Sequence, residues 1–248
     1  SAFTTKLAIY ALVRGFAGYS FLIPIGCIMT LFPIFFAVIE NDLRKVLAYS
    51  LNNQLGFMVV AIGIGTPLAI DGACAHAFAH IIYKGLLFMS MGAVLYRVGT
   101  TKASELGGLH RTMPFTTIFC IIGGLSISAF PLFSGFAAKS LITSAAGYEH
   151  MALVTFVLLF ASAGVMEHSG IKIPFFAFFA HDSGKRPKEA PWNMLLAMGI
   201  AASFCILIGV YPSALYDILP NRAFNSHSNA TYSAYSVTHV VTQFELLL

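Results

Sequence analysis

The sequence predicts an all-α fold, a polytopic bundle of transmembrane helices, on three observations. Hydrophobic residues make up 58% of the 248 residues and charged residues only 10%, too little polar surface for a water-soluble globule. The mean hydropathy is +0.81. Apolar stretches of about 20 residues, the length that crosses a bilayer, follow one another with short polar joints between them. A single transmembrane domain is therefore expected over 1–248.

About seven crossings are expected. Their apolar segments run over 2–18, 20–39, 46–65, 72–96, 113–147, 151–180 and 191–212. The fifth is too long for one span and carries Pro131 and Gly135 near its middle, which predicts a helix broken inside the membrane. The sixth is expected to bend between Gly170 and Pro174. A polar loop at 213–240 follows, and because apolar segments reach both ends of the chain we expect a fragment of a longer protein.

Lysine and arginine are divided unevenly between the two sets of loops. The loops after the second, fourth and sixth spans hold eight of them: Arg44, Lys45, Arg97, Lys102, Arg111, Lys185, Arg186 and Lys188. The loops on the opposite side hold only Arg14 and Arg222. Because cytoplasmic loops carry the positive excess in membrane proteins, we expect the even-numbered loops to be cytoplasmic in a multi-pass protein of the cell (inner) membrane.

Lys84 is placed deep within the fourth span. It lies thirteen residues after Asp71 and thirteen before Arg97, about 20 Å from either end of a helix, so its amine cannot reach the surface. His76 and His80 precede it at i−8 and i−4 and share its helical face. Histidine titrates near neutrality, and desolvation makes lysine easier to deprotonate. The ladder predicts a proton pathway; the alternative is that these side chains only hydrogen-bond neighbouring helices.

Lys139 and Lys6 are two further lysines in apolar segments. Lys139 follows Gly135 by four residues, in the second half of the broken span. Freed backbone groups at such a break are tolerated where protein or water surrounds them, as along ion pathways. We therefore assign Lys139 to the pathway, with neutralisation of unwound carbonyls as the alternative. Lys6 on the first helix is assigned to it too, with a structural role as the alternative, whereas Lys172 near the end of its span fits snorkelling.

Asn53 and Gln54 form a polar step in the third span. They suit hydrogen bonds across helices or an ordered water chain that supports the pathway. The four cysteines lack CxxC spacing and histidine partners, which predicts neither a metal site nor a disulfide framework. The sequence also lacks a phosphate-binding loop, haem or iron–sulfur spacing and a basic tract for nucleic acid. We expect no cofactor and no nucleic-acid partner.

Five stretches within about the first 145 residues match the motifs of a known family in order. They are KLAIYALVR at 6–14, NDLRKVLAYSLNNQLGF at 41–57, HAFAHIIYKGLLF at 76–88, ELGGLHRTMP at 105–114 and FPLFSGFAAKSLI at 130–142. On these motifs the chain resembles the large proton-antiporter subunit family shared by Mrp-type Na⁺/H⁺ antiporters and the antiporter-like membrane subunits of respiratory complex I. The remaining residues agree in hydropathy more than in motif.

The resemblance implies a fold of about fourteen helices with two inverted five-helix repeats, each containing a broken helix. Residues 1–18 would be the last helix of the first repeat, 20–180 the second repeat and 191–212 the helix that follows. The glutamate–lysine pair of the first repeat is outside this sequence. The resemblance therefore implies that this sequence contains half of the membrane machinery of the family.

The resemblance also implies roles for single residues. Lys6 resembles the lysine that links the two half-channels, and Lys139 the broken-helix lysine that faces the exit. Lys84 resembles the central lysine of the second repeat, with His76 and His80 beside it.

Two positions bear on the subfamily. Some complex I members have histidine where Gln54 stands and glutamate where Lys139 stands, so the chain differs from those members. The stretch SGIKIPFFAFFAHDSGKRPKEAP at 169–191 resembles the D-type subunit of Mrp-like antiporters more closely.

The function that these patterns predict is proton translocation within a multi-subunit monovalent cation (Na⁺)/H⁺ antiporter. Its partners would be other integral membrane subunits, the lipid bilayer, protons and Na⁺, with no catalytic site in this chain. One alternative is a proton-pumping membrane-arm subunit of a respiratory NADH:quinone oxidoreductase-type complex. Another is a passive scaffold in which the buried lysines only hold helices together.

Overall fold

The computed structural model describes residues 3–221 and 232–247, which are folded almost entirely as helices. The α-helices are α1 Thr4–Phe16, α2 Leu22–Ile39, α3 Leu43–Ile64, α4 Pro67–Val98, α5 Pro114–Ile127, α6 Ser134–Tyr148, α7 Ala152–Val165, α8 Trp192–Val210, α9 Ser213–Tyr216 and α10 Val237–Leu247. Two 3₁₀ turns, Ala103–Glu105 and Leu109–Arg111, lie between α4 and α5. The described residues form no strand, so the predicted all-α class is confirmed.

Five of the described helical segments are long and apolar enough to cross a bilayer. They are α2, α3, α4, α8 and the continuous segment Ala152–Phe179 that begins with α7. The helices α5 and α6 are shorter and follow one another across an interruption, and α1 has 13 residues. Large apolar side chains stay exposed on the outer helices, as expected for surfaces that face lipid: Phe32, Phe35, Leu153, Phe156, Phe160 and Phe204 among others. The chain is a multi-pass membrane protein.

The longest helix, α4, lies at the centre of the bundle. It spans 32 residues, begins with Pro67 behind the Thr66 cap and ends at Gly99, whose φ of 83° suits glycine. It packs against α3, α5, α6 and α8. Because protein surrounds α4 on most sides, its polar residues are shielded from lipid.

The helices α2 and α3 approach each other closely through glycines. A Cβ atom added to Gly56 would lie 2.5 Å from the Thr30 nitrogen and 2.7 Å from the Gly26 oxygen. A Cβ at Gly26 would lie 2.7 Å from the Val60 nitrogen. Small residues at helix crossings let backbones pack tightly in membranes, where dispersion replaces the hydrophobic effect as the driving force. The close approach brings the backbone of α2 within reach of side chains on α3.

The predicted broken helix is present, with the interruption at 128–133 between α5 and α6. Two non-glycine residues there have positive φ, 58° at Ala129 and 75° at Leu132. The Leu132 N–H donates to the Tyr235 hydroxyl at 3.0 Å. The backbone of the break is thus satisfied by protein, as irregular backbone at membrane depth requires.

The segment expected to bend between Gly170 and Pro174 contains wide helical turns. π-helical turns at Met166–Ile171 and Phe175–Phe179 flank a short α turn. Pro174 has no N–H to donate to the carbonyl of Gly170, which explains why regular α pairing is lost there. The helix axis continues to Phe179 through these turns.

Lys172, which fits snorkelling near the end of its span, extends its amine to the end of α2. Its Nζ donates hydrogen bonds of 3.0, 2.6 and 2.8 Å to three carbonyls at the end of α2, those of Ala37, Val38 and Glu40. The last carbonyls of a helix have no partner within the helix, and a cation there also complements the helix dipole. Lys172 therefore ties α2 to the α7 segment.

The loops that carry most of the basic residues are held together by hydrogen bonds. Thr101 Oγ1 donates to Asp42 Oδ1 at 2.8 Å, and the Leu43 N–H donates to the Thr101 carbonyl at 3.0 Å. Burial would raise the pKa of Asp42, but the hydrogen bonds from Thr101 and from the backbone at Arg44 outweigh it and lower the pKa. Asp42 thus stays ionised as the N-cap of α3.

The end of the chain differs in detail from the predicted loop at 213–240. The short helix α9 and the start of α10 at Val237 fall within that loop. Residues 222–231, which include Arg222 of the charge count, lie outside the described residues. The final helix therefore begins inside the predicted loop, three residues before its end at 240.

Replacement of Gly56 by alanine should destabilise the protein. The added methyl group would overlap backbone atoms of α2, which cannot move aside as a flexible side chain can. Overpacking of this kind lowers the free energy of unfolding by about 1–3 kcal/mol. Gly92→Ala is the matched control, because a Cβ at Gly92 on α4 meets nothing within 4 Å. The free energy of unfolding in mixed micelles is measured for both variants of the full-length protein. Equal stabilities of the two variants would contradict the close α2–α3 contact.

Candidate functional site

The five side chains assigned to the pathway are all buried inside the bundle. Lys6 on α1 is 9% exposed and Lys139 on α6 is 3% exposed, while the three from α4 are 0% exposed: His76, His80 and Lys84. Spacing along α4 stacks the two imidazoles, with ring centroids 6.2 Å apart and planes inclined by 23°. The ladder expected from the sequence therefore exists as a continuous face of one helix.

Lys6 and His80 are in direct contact although 74 residues separate them. Lys6 Nζ lies 2.7 Å from His80 Nδ1. At this distance one nitrogen must donate and the other accept. Either an ammonium donates to a neutral imidazole or an imidazolium donates to a neutral amine. The pair can thus pass a proton between α1 and α4 without either group leaving its place.

A hydrogen-bonded chain from α2 orients His76. The Thr30 carbonyl only accepts, so Asn53 Nδ2 donates to it, and Asn53 Oδ1 in turn accepts from Gln54 Nε2 at 2.7 Å. Gln54 Oε1 therefore faces His76 Nε2 at 3.1 Å and the Tyr83 hydroxyl at 3.0 Å. In the neutral ring the proton is on Nε2. The polar step predicted in the third span is thus a support for the ladder.

Lys84 is the most isolated member of the group. Its Nζ has no hydrogen-bond partner among the described residues and lies 5.9 Å from the centroid of the Phe88 ring. His76 Nδ1 and His80 Nε2 also lack partners in the described part of the chain. Buried polar groups are nearly always hydrogen-bonded by protein or ordered water. These atoms are the positions of the ladder at which water is required.

Lys139 is bound to the interruption of the broken helix. Its Nζ donates to the Ile127 carbonyl, at the end of α5, at 2.8 Å. This contact is the one expected if the lysine neutralises unwound carbonyls. The same amine lies 5.2 Å from the centroid of the Phe57 ring and lines a cavity, so the contact with Ile127 does not isolate it.

The Phe57 ring connects the ladder to Lys139. It stacks on His76, with centroids 5.9 Å apart and planes inclined by 17°, and its face also contacts the Lys139 amine. An apolar ring cannot carry a proton. Any proton path between His76 and Lys139 therefore passes around Phe57.

Among the described residues, no carboxylate contacts the lysines assigned to the pathway. In the described part of the chain, the contacts of Lys6, Lys84 and Lys139 are with an imidazole, hydroxyl or carbonyl group or with aromatic rings. A charge at mid-bilayer costs about 2.5–3.5 kcal/mol on insertion scales, and neighbouring like charges repel one another strongly at low dielectric. Protonation of one lysine therefore disfavours protonation of the next.

Three groups to which the sequence assigned no role also belong to this region. Tyr83 precedes Lys84 on α4, and its hydroxyl donates a hydrogen bond to Gln54 Oε1. His168 is buried in a π-helical turn, where its Nδ1 forms a hydrogen bond of 2.7 Å with the Ser169 hydroxyl. The other ring nitrogen, Nε2, has no partner among the described residues. His239 on α10 lines the cavity at Lys139. π-Helical turns are frequent near functional sites but have no reliable sequence signal.

Comparisons with known proteins agree with this architecture. The family model described as NADH:quinone oxidoreductase/Mrp antiporter, TM matches residues 1–167. NADH-ubiquinone oxidoreductase chain 5 of Hippopotamus amphibius is 35% identical over 159 residues, which are 63% of this chain and 26% of that protein. The chain thus spans about a quarter of the length of the curated relatives that it matches.

Solved structures share the fold. A chain of the Mrp complex from Dietzia sp. DQ12-45-1b superposes with a TM-score of 0.82 and 25% identity over 97% of this chain and 28% of that chain. A chain of the membrane-bound sulfane sulfur reductase, an archaeal respiratory membrane complex, superposes with a TM-score of 0.73 and 30% identity over 82% of this chain and 34% of that chain. With its motifs, its broken helix and a family match over 1–167, the chain belongs to the NADH:quinone oxidoreductase/Mrp antiporter family of transmembrane proteins.

Proposed function

We propose that this chain is the proton-translocating membrane subunit of a multi-subunit monovalent cation (Na⁺)/H⁺ antiporter. Protons move along Lys6, His76, His80, Lys84 and Lys139. The observation that carries the proposal is the direct contact of a lysine and a histidine within a buried row of basic groups that has no carboxylate partner among the described residues. Such groups in a membrane interior are expensive to keep and are typical of proton pathways.

Transfer along the row uses both nitrogens of each imidazole. His76 holds a proton on Nε2 against Gln54 and presents a bare Nδ1 that can accept another. His80 exchanges a proton with Lys6 through Nδ1 and presents Nε2 to the interior. Each imidazole can therefore accept on one nitrogen and release from the other.

Repulsion between like charges couples the steps. When one lysine is protonated, its neighbours are more easily deprotonated, so a proton that enters at one end drives release at the other. The unpartnered atoms of Lys84, His76 and His80 take part through water that enters during turnover. Water between these side chains is required, because none of the three is hydrogen-bonded directly to the next one along α4.

Subunit context and orientation are part of the proposal. The Mrp complex and the sulfane sulfur reductase whose chains share this fold are membrane complexes, which supports other integral membrane subunits as partners. Residues 1–18 complete a first repeat, 20–180 form the second, and 191–212 follow it. The loops after α2, α4 and the α7 segment face the cytoplasm, since they hold the excess of basic residues.

A second candidate function is proton pumping in the membrane arm of a respiratory NADH:quinone oxidoreductase-type complex. The observation that favours it is the 35% identity to an NADH-ubiquinone oxidoreductase chain 5. The membrane chemistry is the same in both functions. Vesicles that contain the whole purified complex separate them, because antiport responds to a Na⁺ gradient and pumping responds to NADH and quinone.

Lys84→Ala should lower proton flux by about 100-fold, the low end of what a positioned proton-transfer group contributes. The measurement is pH-sensitive dye fluorescence in vesicles that contain the complete complex. Lys102→Ala is the matched control, because Lys102 makes an exposed ion pair with Glu105 in a loop. Full flux in an assembled Lys84→Ala complex would refute the pathway and leave the passive scaffold.

Gln54→Leu should disturb both stability and flux. It removes the partner of His76, Tyr83 and Asn53, and a buried polar group without a partner costs about 1–3 kcal/mol. His76 would also lose the bond that orients it, so flux should fall further than stability alone explains. Asn52→Leu is the control, because Asn52 is exposed on the opposite face of α3. The free energy of unfolding in micelles and the proton flux in vesicles are measured for both variants. Equal values for the two variants would contradict the assigned role of Gln54.

A further inference from the structure

A cavity of ≈ 140 Å³, whose wall is mostly apolar but carries several polar side chains, lies beside Lys139, between α6, the α7 segment and α10. Its lining includes Lys139, Ser140 and Ser144 from α6, Ser162 from α7, and His239 and Gln243 from α10. One water molecule takes about 30 Å³ in the liquid, so the cavity has room for several. Its walls carry amine, hydroxyl, imidazole and amide groups that can hold them.

Exposure increases along this cavity from Lys139 outwards. The Lys139 side chain is 3% exposed and Ser140 is 7% exposed, whereas Ser144 and His239 are half-buried. The hydroxyls of Ser140 and Ser144 follow one another by one turn of α6. The cavity thus offers polar atoms at successive depths between the lysine and the end of α6.

Contacts of α10 show how it lies against the broken helix. Gln243 Nε2 donates to the Ser128 carbonyl in the interruption at 3.3 Å, and the Phe244 ring meets the Phe130 ring edge-on at 5.7 Å. His239, one turn earlier, contacts Ser144 near the outer end of α6. The helix therefore enters from the side opposite the basic loops and reaches the interruption.

His239 is held with one nitrogen facing inwards and one facing outwards. Its Nδ1 lies 3.1 Å from the carbonyl of exposed Ser233, which only accepts, so Nδ1 carries the proton of the neutral ring. Nε2 is then unprotonated and accepts from the Ser144 hydroxyl at 2.9 Å. Among its neighbours, the Tyr232 ring lies 5.6 Å from the imidazole. The acceptor nitrogen faces the cavity, and the donor nitrogen faces the exposed side.

We propose that this cavity is the outlet of the pathway and that His239 relays protons from Lys139 to the surface opposite the basic loops. A proton released by Lys139 crosses the cavity through water and binds Nε2 of His239. The imidazolium then releases the proton on Nδ1 to the outside, and water transfers the remaining ring proton from Nε2 to Nδ1, which restores the starting tautomer. This inference rests on the proposed function and adds to it an exit group on α10.

The test is His239→Gln in vesicles that contain the complete complex. Glutamine keeps a similar size and can still accept from Ser144, but it cannot bind and release a proton. Proton flux should fall by about tenfold or more, since a positioned proton-transfer group contributes at least that much. His181→Gln is the matched control, because His181 is exposed in the basic loop after the α7 segment. Its flux should equal that of the unmodified complex.

A second variant separates proton relay from a structural role. His239→Ala opens space in the cavity, and imidazole added to the compartment that the α6–α7 loop faces should restore flux in that variant. Assembly of each complex is checked by size-exclusion chromatography. Unchanged flux in His239→Gln would overturn the proposal. Loss of flux that imidazole does not restore in an assembled complex would assign His239 a structural role and overturn it as well.

The proposed function and the outlet fail in different ways. If Lys84→Ala abolishes flux while His239→Gln keeps it, the pathway stands and its exit lies elsewhere. If Lys84→Ala keeps full flux, the pathway itself is refuted whatever His239 does. The two variants are therefore measured in the same vesicle preparation.

Discussion

The rest of the site depends on one constraint, which is that basic groups lie deep in the bundle without a neutralising carboxylate among the described residues. Lys6 finds its partner in His80, and the described contacts of the other pathway lysines include no carboxylate. In a low-dielectric interior such groups cannot all be protonated together. The central position of α4 follows from this, since only a helix packed against protein on most sides can shield the row from lipid.

Backbone irregularities supply the polar atoms that apolar helices lack. The interruption at 128–133 frees the carbonyl that binds Lys139, and the π-helical turns after α7 bury His168 against Ser169. The end of α2 is closed by Lys172. The interruption and the end of α2 are each compensated by a lysine from another element, which agrees with the rule that unpaired backbone groups are not tolerated at membrane depth.

Several features were predictable because they are encoded locally. The depth of Lys84 and its common face with His76 and His80 follow from hydropathy and from the helical repeat. The interruption before Lys139 follows from proline and glycine. By contrast, the π-helical turns were not predictable, because they arise from packing around Pro174 rather than from a sequence signal.

By itself the sequence determined the all-α membrane class, the helices and the row of basic residues on α4, because hydropathy and periodicity act over neighbouring residues. Only the tertiary structure decided that Lys6 meets His80, that Asn53 and Gln54 orient His76, and that α10 returns to the broken helix. Those contacts join residues up to 115 positions apart. Such pairings depend on how whole helices pack, and no local pattern specifies them.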